Sequence, residues 1–152
     1  MTSKDQELYT AIIAKIHSLI PDFKPKISIS DWEPAPRNFF KEIYPTIKNQ
    51  GCWFHFTQCI WAITQKLGLV QSFRGNPETA NFIRNLMAIP FLPATLIRPT
   101  YTFLQVPDLT ILESGKLEQL RKYFKKRWIT QINPEELSIY ETEITTNNAE
   151  EI

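Results

Sequence analysis

The sequence lacks the features that mark several large protein classes. It has no run of about 18 apolar residues, so no segment of it fits a membrane-spanning helix. The first segment is broken by charged residues such as Lys4, Asp5 and Glu7, and so does not fit a secretory signal peptide. Two cysteines are too few for the disulfide framework of a small secreted domain, and we expect both to be reduced.

Neither positive nor negative charge is in excess. Seventeen Lys and Arg face sixteen Asp and Glu, which gives a formal net charge of +1. Overall charge therefore gives no reason to expect nucleic-acid binding, which would have to depend on local patches. There is no Gly-rich phosphate loop, no Ser or Cys nucleophile motif and no His-Glu-x-x-His, so the usual hydrolase and kinase classes are excluded.

Glycine is scarce, with four residues against eleven prolines, and the prolines divide the chain into predicted elements. Ser3 and Gln6 have capping-box spacing at the start of an amphipathic helix that Pro21 ends. A strand is predicted at Lys26–Ser30, a helix at Pro34–Tyr44 and a second strand over the aromatic-rich stretch Thr46–Phe56. This alternation favours an α/β layer with parallel strands.

The second half of the chain is predicted to be mostly helical. Helices are expected at Gln58–Leu67, at Asn76–Pro90 and at Lys116–Trp128, where apolar residues recur at helical spacing. The segment Pro90–Pro107 holds four prolines and is predicted to be an irregular connection. Another helix is expected to begin within Glu141–Ile152.

One acidic residue is a candidate metal ligand. Asp31 follows a predicted inner strand, and the carboxyl ends of such strands form the ligand crevice of open α/β sheets. A carboxylate there can hold a hard cation such as Mg²⁺. The alternative is a helix N-cap or turn residue ahead of Pro34, and Glu33 is either a supporting ligand or a first-turn acid.

A Cys-x-x-His pair is formed by Cys52 and His55, and Cys59 follows four residues later. On a helix all three would share one face. A zinc site normally needs four protein ligands, or three and a water, and His17 is the only other histidine. Packing of two buried thiols and one histidine among aromatic residues is therefore favoured over zinc binding.

Two further charged groups allow more than one interpretation. A basic cluster could contact phosphates or act as a nuclear address, or be a solvated helix face; its members are Arg121, Lys122, Lys125, Lys126 and Arg127. Near the C-terminus, Glu150 and Glu151 are either a solvated tail or the first-turn acids of a helix.

Four motifs taken in order resemble the transposases of Mutator-like elements (MULEs). They are Ser-Asp-Trp-Glu-Pro-Ala-Pro at 30–36, Tyr-Pro-Thr-Ile-Lys-Asn-Gln-Gly-Cys-Trp-Phe-His-Phe-Thr-Gln at 44–58, Leu-Met-Ala-Ile-Pro-Phe-Leu-Pro at 86–93 and Thr-Asn-Asn-Ala-Glu-Glu at 146–151. Their order and spacing cover nearly the whole chain. The resemblance implies an α/β fold with part of a ribonuclease-H-like core at 1–56 and a mostly α-helical insertion at 57–140. Residues 141–152 would then begin the helix that returns to the core.

The resemblance also implies a set of site residues. Asp31 corresponds to the second catalytic aspartate, and Glu151 to the catalytic glutamate, with Glu150 as the competing assignment. Both Asp31 and Glu151 would bind Mg²⁺ or Mn²⁺ in the intact parent. Cys52 and His55 match a family signature of uncertain role on the strand after Asp31.

The function implied is cutting and joining of DNA at transposon ends by two-metal phosphodiester chemistry. The family's first aspartate has no counterpart here, because Asp5 and Asp22 lie in and after the first helix. We therefore expect an interior fragment that is inactive alone, from a nuclear parent that can form homo-oligomers. The alternatives are a non-catalytic, transposon-derived module that binds DNA or protein and, more weakly, a cytoplasmic location or a small domain stabilised by zinc.

Overall fold

The computed structural model describes residues 3–143. The strands are β1 (Ile27–Ser30) and β2 (Lys48–Gly51), and the helices are α1 (Ser3–Leu19), α2 (Pro34–Ile43), α3 (Trp53–Lys66), α4 (Val70–Gly75), α5 (Pro77–Ala88), α6 (Ala94–Phe103), α7 (Ile111–Phe124) and α8 (Pro134–Leu137). A 3₁₀ turn covers Ile89–Phe91, and a π-helix covers Lys125–Ile132. Within this range no helix is both long and apolar enough to cross a bilayer. The fold is mainly helical with a small parallel sheet, which confirms the α/β class and adds a helical majority.

The order of the first four elements, which is helix, strand, helix, strand, agrees with the sequence predictions. Helix α1 ends before Pro21, and α2 has Pro34 in its first turn, where the missing N–H costs nothing. Strands β1 and β2 pair in parallel, with Ile27 opposite Lys48 and Ser30 opposite Gly51. Because parallel strands run in one direction, β1 and β2 both end at the same edge of the sheet.

The core of the helical half is built from aromatic rings. Phe56 in α3 meets the Trp128 ring at a centroid distance of 4.8 Å and the Phe124 ring at 6.1 Å. The Trp128 ring in turn contacts Trp32, at 4.9 Å, and Phe124 stacks on Tyr101, at 5.7 Å. Edge-to-face and offset contacts of this kind are the preferred geometry of aromatic pairs. The rings therefore join the sheet edge near β1 to the helices of the second half.

The second strand is shorter than predicted, so the candidate residues Cys52 and His55 do not lie on it. The prediction of a strand over Thr46–Phe56 is wrong after Gly51, because α3 begins at Trp53. Aromatic residues favour strands, but burial at Phe56, Ile60 and Thr64 follows a spacing of four and makes one face of a helix. The predicted boundary after residue 56 falls inside this helix.

The prediction of an irregular connection over Pro90–Pro107 is also wrong in its middle part. Helix α6 occupies Ala94–Phe103 and contains Pro99. A proline inside a helix removes one backbone hydrogen bond. Here Ile97 and Tyr101 are four residues apart and both buried, so packing of this face offsets that loss.

The last long helix differs from its predicted bounds of Lys116–Trp128. It begins at Ile111, after the N-cap Thr110, and continues beyond Phe124 as a π-helix through Ile132. The wider π turn still buries Trp128, Ile129 and Ile132. Stretches of π-helix are rare and frequently lie at functional sites, so this segment is a candidate part of such a site.

Candidate functional site

Asp31 lies at the carboxyl end of β1, as predicted, and its side chain is 55% exposed. It is not the N-cap of α2, because that position is held by Glu33, whose side chain makes no capping hydrogen bond. The alternative assignment of Asp31 as a capping residue for this helix is therefore wrong. An exposed carboxylate at this edge of a parallel sheet remains available to a ligand.

His55 lies directly beside Asp31. Its Nδ1 atom is 3.2 Å from Asp31 Oδ1, although the angles fall outside those of a hydrogen bond. This nitrogen is buried and has no hydrogen-bond partner within residues 3–143. The contact becomes an ion pair only when the imidazole is protonated. The placement of His55 on the strand after Asp31 is wrong, since His55 is in the first turn of α3.

Trp32 fixes the position of the two strand ends, and the sequence analysis missed its role. The indole is 7% exposed, and its Nε1 donates to the carbonyl oxygen of Cys52 at 3.2 Å. The Cys52 N–H in turn donates to the Ser30 carbonyl at 3.0 Å. The position of Trp32 directly after the candidate aspartate could have indicated this role, because a buried indole anchors its neighbours.

The two cysteines are not joined in a disulfide, and they occupy different environments. Cys52 is fully buried at the N-cap of α3 rather than on a strand, which corrects its predicted place. Cys59 is partly buried; burial raises the pKa of its thiol, and the charge of Arg127 opposes that rise.

The described part of the chain contains no group of three His, Cys, Asp or Glu side chains that could hold a metal. Cys52, His55 and Cys59 are therefore not grouped as zinc ligands in the described part of the chain. Of the proposed metal and signature residues, Asp31 and His55 lie side by side.

The basic cluster divides into two kinds of cation. Lys122, Lys125 and Lys126 are exposed. Arg121 instead packs over the Tyr101 ring at 4.8 Å and donates from Nε to the Leu104 carbonyl at 3.2 Å. The three lysines thus form the part of the cluster that is open to a partner.

Arg127 brings the cluster close to the sheet edge. Its Nη2 donates to the Trp32 carbonyl at 3.4 Å, and its guanidinium lies 5.6 Å from the centre of the Trp128 ring. Trp32 directly follows Asp31 in the chain, so Arg127 is bonded to the residue next to the candidate aspartate. Arg127 and Trp32 are 95 residues apart, so no local sequence pattern predicts their contact.

Glu151, the candidate catalytic glutamate, and Glu150, its competing assignment, lie outside the described residues. The motif at 146–151 does so as well. No family model, curated protein or solved structure matches this chain.

Proposed function

We propose that the chain is a segment of a DNA transposase of the Mutator-like type, whose parent cuts and joins DNA. The observation that carries this proposal is the exposed Asp31 carboxylate at the carboxyl end of a parallel strand, 3.2 Å from His55. The unit β1, α2, β2 and the helical remainder suit a partial ribonuclease-H-like core followed by an insertion. The ordered motifs described above supply the rest of the support.

Divalent metals, when bound, would activate a water or 3′-hydroxyl and stabilise the leaving oxygen of a phosphodiester. Asp31 fits such a role because its carboxylate is exposed at the strand end. His55 lies beside one oxygen of this carboxylate. Of the three carboxylates that the resemblance implies, the first aspartate has no counterpart in this chain, so we expect the chain to be inactive in isolation.

Metal binding by the purified chain tests the role of Asp31. Added Mn²⁺ should broaden the NMR signals of residues around Asp31, and Asp31→Asn should abolish that broadening. Asp22→Asn is the matched control, since Asp22 is also an exposed aspartate next to a secondary-structure element. Broadening centred elsewhere, or unchanged in Asp31→Asn, would contradict the proposal.

A nicking assay on duplex DNA tests the expected inactivity. We expect no Mg²⁺- or Mn²⁺-dependent cleavage by the chain alone. Cleavage that Asp31→Asn abolishes would show that the residues present suffice for catalysis. A native reading frame that encodes an additional strand with an aspartate upstream of Met1 would support the transposase assignment.

The second candidate function is a non-catalytic module that binds DNA through the basic cluster. It is favoured by the exposure of Lys122, Lys125 and Lys126 on consecutive turns. Changing these three to Gln should weaken duplex binding and reduce its salt dependence by about 2 to 3 units of slope, while Asp31→Asn should leave it unchanged.

The control for this module is a second triple variant. Lys15, Lys24 and Lys26 are also exposed, so their change to Gln removes equal charge from another surface. If both triple variants weaken binding equally, the cluster has no special role and the module hypothesis fails.

A further inference from the structure

A polar cavity of about 240 Å³ lies between α2 and the end of the π-helix. Its walls include Trp32, Arg37 and Lys41 from the N-terminal part and Arg127 and Glu136 from the C-terminal part. The rest of its lining is rich in amide side chains, which are Asn38, Asn49, Gln131 and Asn133. Amide groups and cations together can donate many hydrogen bonds to a bound oxyanion.

Arg37 is the most deeply placed cation of this cavity. Its side chain is 6% exposed, and its Nη2 bonds to Glu136 Oε2 at 2.5 Å and approaches the Asn49 carbonyl at 3.5 Å. Its Nη1, in contrast, is buried without a hydrogen-bond partner among residues 3–143. A buried donor without an acceptor is costly, so an anion that reached this nitrogen from the cavity would be favourable.

The charges around the cavity do not balance. Arg37, Lys41 and Arg127 contribute three positive charges and Glu136 one negative charge, which leaves two positive charges. Glu136 is already engaged by Arg37, while Lys41 is exposed and able to turn towards the cavity. A phosphate group carries about one to two negative charges near neutral pH, one when it is a diester of a nucleic-acid backbone, and it has strong acceptor oxygens.

We propose that this cavity binds a phosphate group, held by Arg127, Lys41 and the guanidinium of Arg37. Guanidinium groups match the geometry of phosphate oxygens, and Lys adds a point charge. The phosphate is either free or part of a nucleic-acid backbone, and the chemistry of recognition is the same for both. This phosphate site is separate from the metal site proposed above, because phosphate binding here needs neither Asp31 nor a metal.

Titration of the full chain with inorganic phosphate, at constant ionic strength in a chloride buffer, tests the proposal. We expect saturable binding with a Kd of about 1 mM or tighter. Lys41→Gln and Arg127→Gln should each weaken it about tenfold, as expected for the loss of a charge-assisted hydrogen bond. Lys24→Gln is the control, since Lys24 is exposed, does not line the cavity and lies outside the basic cluster.

A second titration, with a short duplex DNA, distinguishes the two sources of phosphate. Weaker duplex binding in Lys41→Gln than in Lys24→Gln would support a nucleic-acid phosphate. Duplex binding equal in the two variants, with phosphate binding lost only in Lys41→Gln, would support free phosphate. No saturable phosphate binding by the unaltered chain, or equal weakening in Lys24→Gln, would overturn the proposal. Because Lys41 is exposed, its variant tests the site even if Arg127→Gln unfolds the chain.

Discussion

At the scale of single residues, Gly51 shows how closely the sheet edge is packed. A Cβ atom at this position would lie 2.1 Å from two carbons of the Trp32 ring. The indole can therefore cover the end of β2 only if residue 51 has no side chain. The same indole holds the Cys52 carbonyl next to His55, so this glycine supports the geometry of the candidate site.

Gly51→Ala should therefore lower the free energy of unfolding by about 1–3 kcal/mol, since the buried Trp32 ring must move. Gly115→Ala is the matched control: it lies within α7 and nothing is within 4 Å of its added Cβ. That change should raise stability by about 0.5–1 kcal/mol, because Ala favours helix. Urea denaturation measures both, and an unaffected Gly51→Ala protein would contradict the close packing.

The carboxyl group of Glu113 makes the stability of the fold depend on pH. Hydrogen bonds from Ser72 Oγ, at 2.6 Å, and from Thr110 Oγ1, at 3.0 Å, lower the pKa of its carboxyl group. Because the folded pKa lies below the unfolded value, the carboxylate stabilises the fold above the unfolded pKa of about 4.3. This stabilisation is lost as the pH falls through the folded pKa.

Glu113→Gln should thus be less stable than the unaltered chain at pH 7, and the difference should shrink as the pH falls below about 4. Thermal unfolding over this pH range measures it. In a Ser72→Ala background the difference should be smaller at every pH, because the stronger of the two bonds is gone. A difference that does not change with pH would show that Glu113 acts through packing alone.

The residues of the candidate site were predictable only in part. The alternating Ile and Ser residues of β1 predict that Asp31 follows a strand, because period-two patterns are local. The contact of Asp31 with His55 was not predictable, since it depends on where β2 stops and α3 starts. The contact of Arg127 with Trp32 spans 95 residues, and no local pattern carries such information.

At the scale of elements, α3 and α6 show packing prevailing over local preference. The aromatic stretch before Gln58 favours a strand by propensity, and the prolines around α6 favour a loop. Both segments form helices because buried residues four apart face the core. Helix α5 was predicted well because its start is local: Asn76 Oδ1 accepts from the Glu78 N–H at 2.9 Å, and Pro77 follows the cap.

Phe56 is the residue through which α3 packs on α7 and the π-helix, and it is fully buried. Phe56→Ala should reduce the free energy of unfolding by about 3–5 kcal/mol, through lost burial and the cavity left behind. Gln58→Ala, on the exposed side of the same helix, should change it by less than about 0.5 kcal/mol. Denaturant titration of both variants tests whether this face of α3 carries the packing.

At the scale of the whole molecule, the N-terminal β1, α2 and β2 depend on the C-terminal helices. Arg37 in α2 bonds to Glu136 in α8, 99 residues away. Trp32 packs on Trp128 and receives a hydrogen bond from Arg127. These contacts close the aromatic core and also build the cavity proposed to hold phosphate.

Glu136→Gln, measured in phosphate-free buffer, should cost about 2 kcal/mol of stability, because it leaves the guanidinium of Arg37 buried without its counter-charge. The value is below that of a fully buried pair, since the Glu136 side chain is 33% exposed. The neighbouring Glu135→Gln, which removes an exposed carboxylate, should change stability by less than about 0.5 kcal/mol. Equal effects of the two changes would show that the long-range ion pair contributes nothing.

The 99-residue separation of Arg37 and Glu136 has a consequence for synthesis on the ribosome. At about 5–20 residues per second, Arg37 is made some 5–20 s before its partner. During that interval the Trp32 indole also lacks the Trp128 ring that covers it. The first part of the chain can therefore complete its fold only after translation reaches the π-helix and α8.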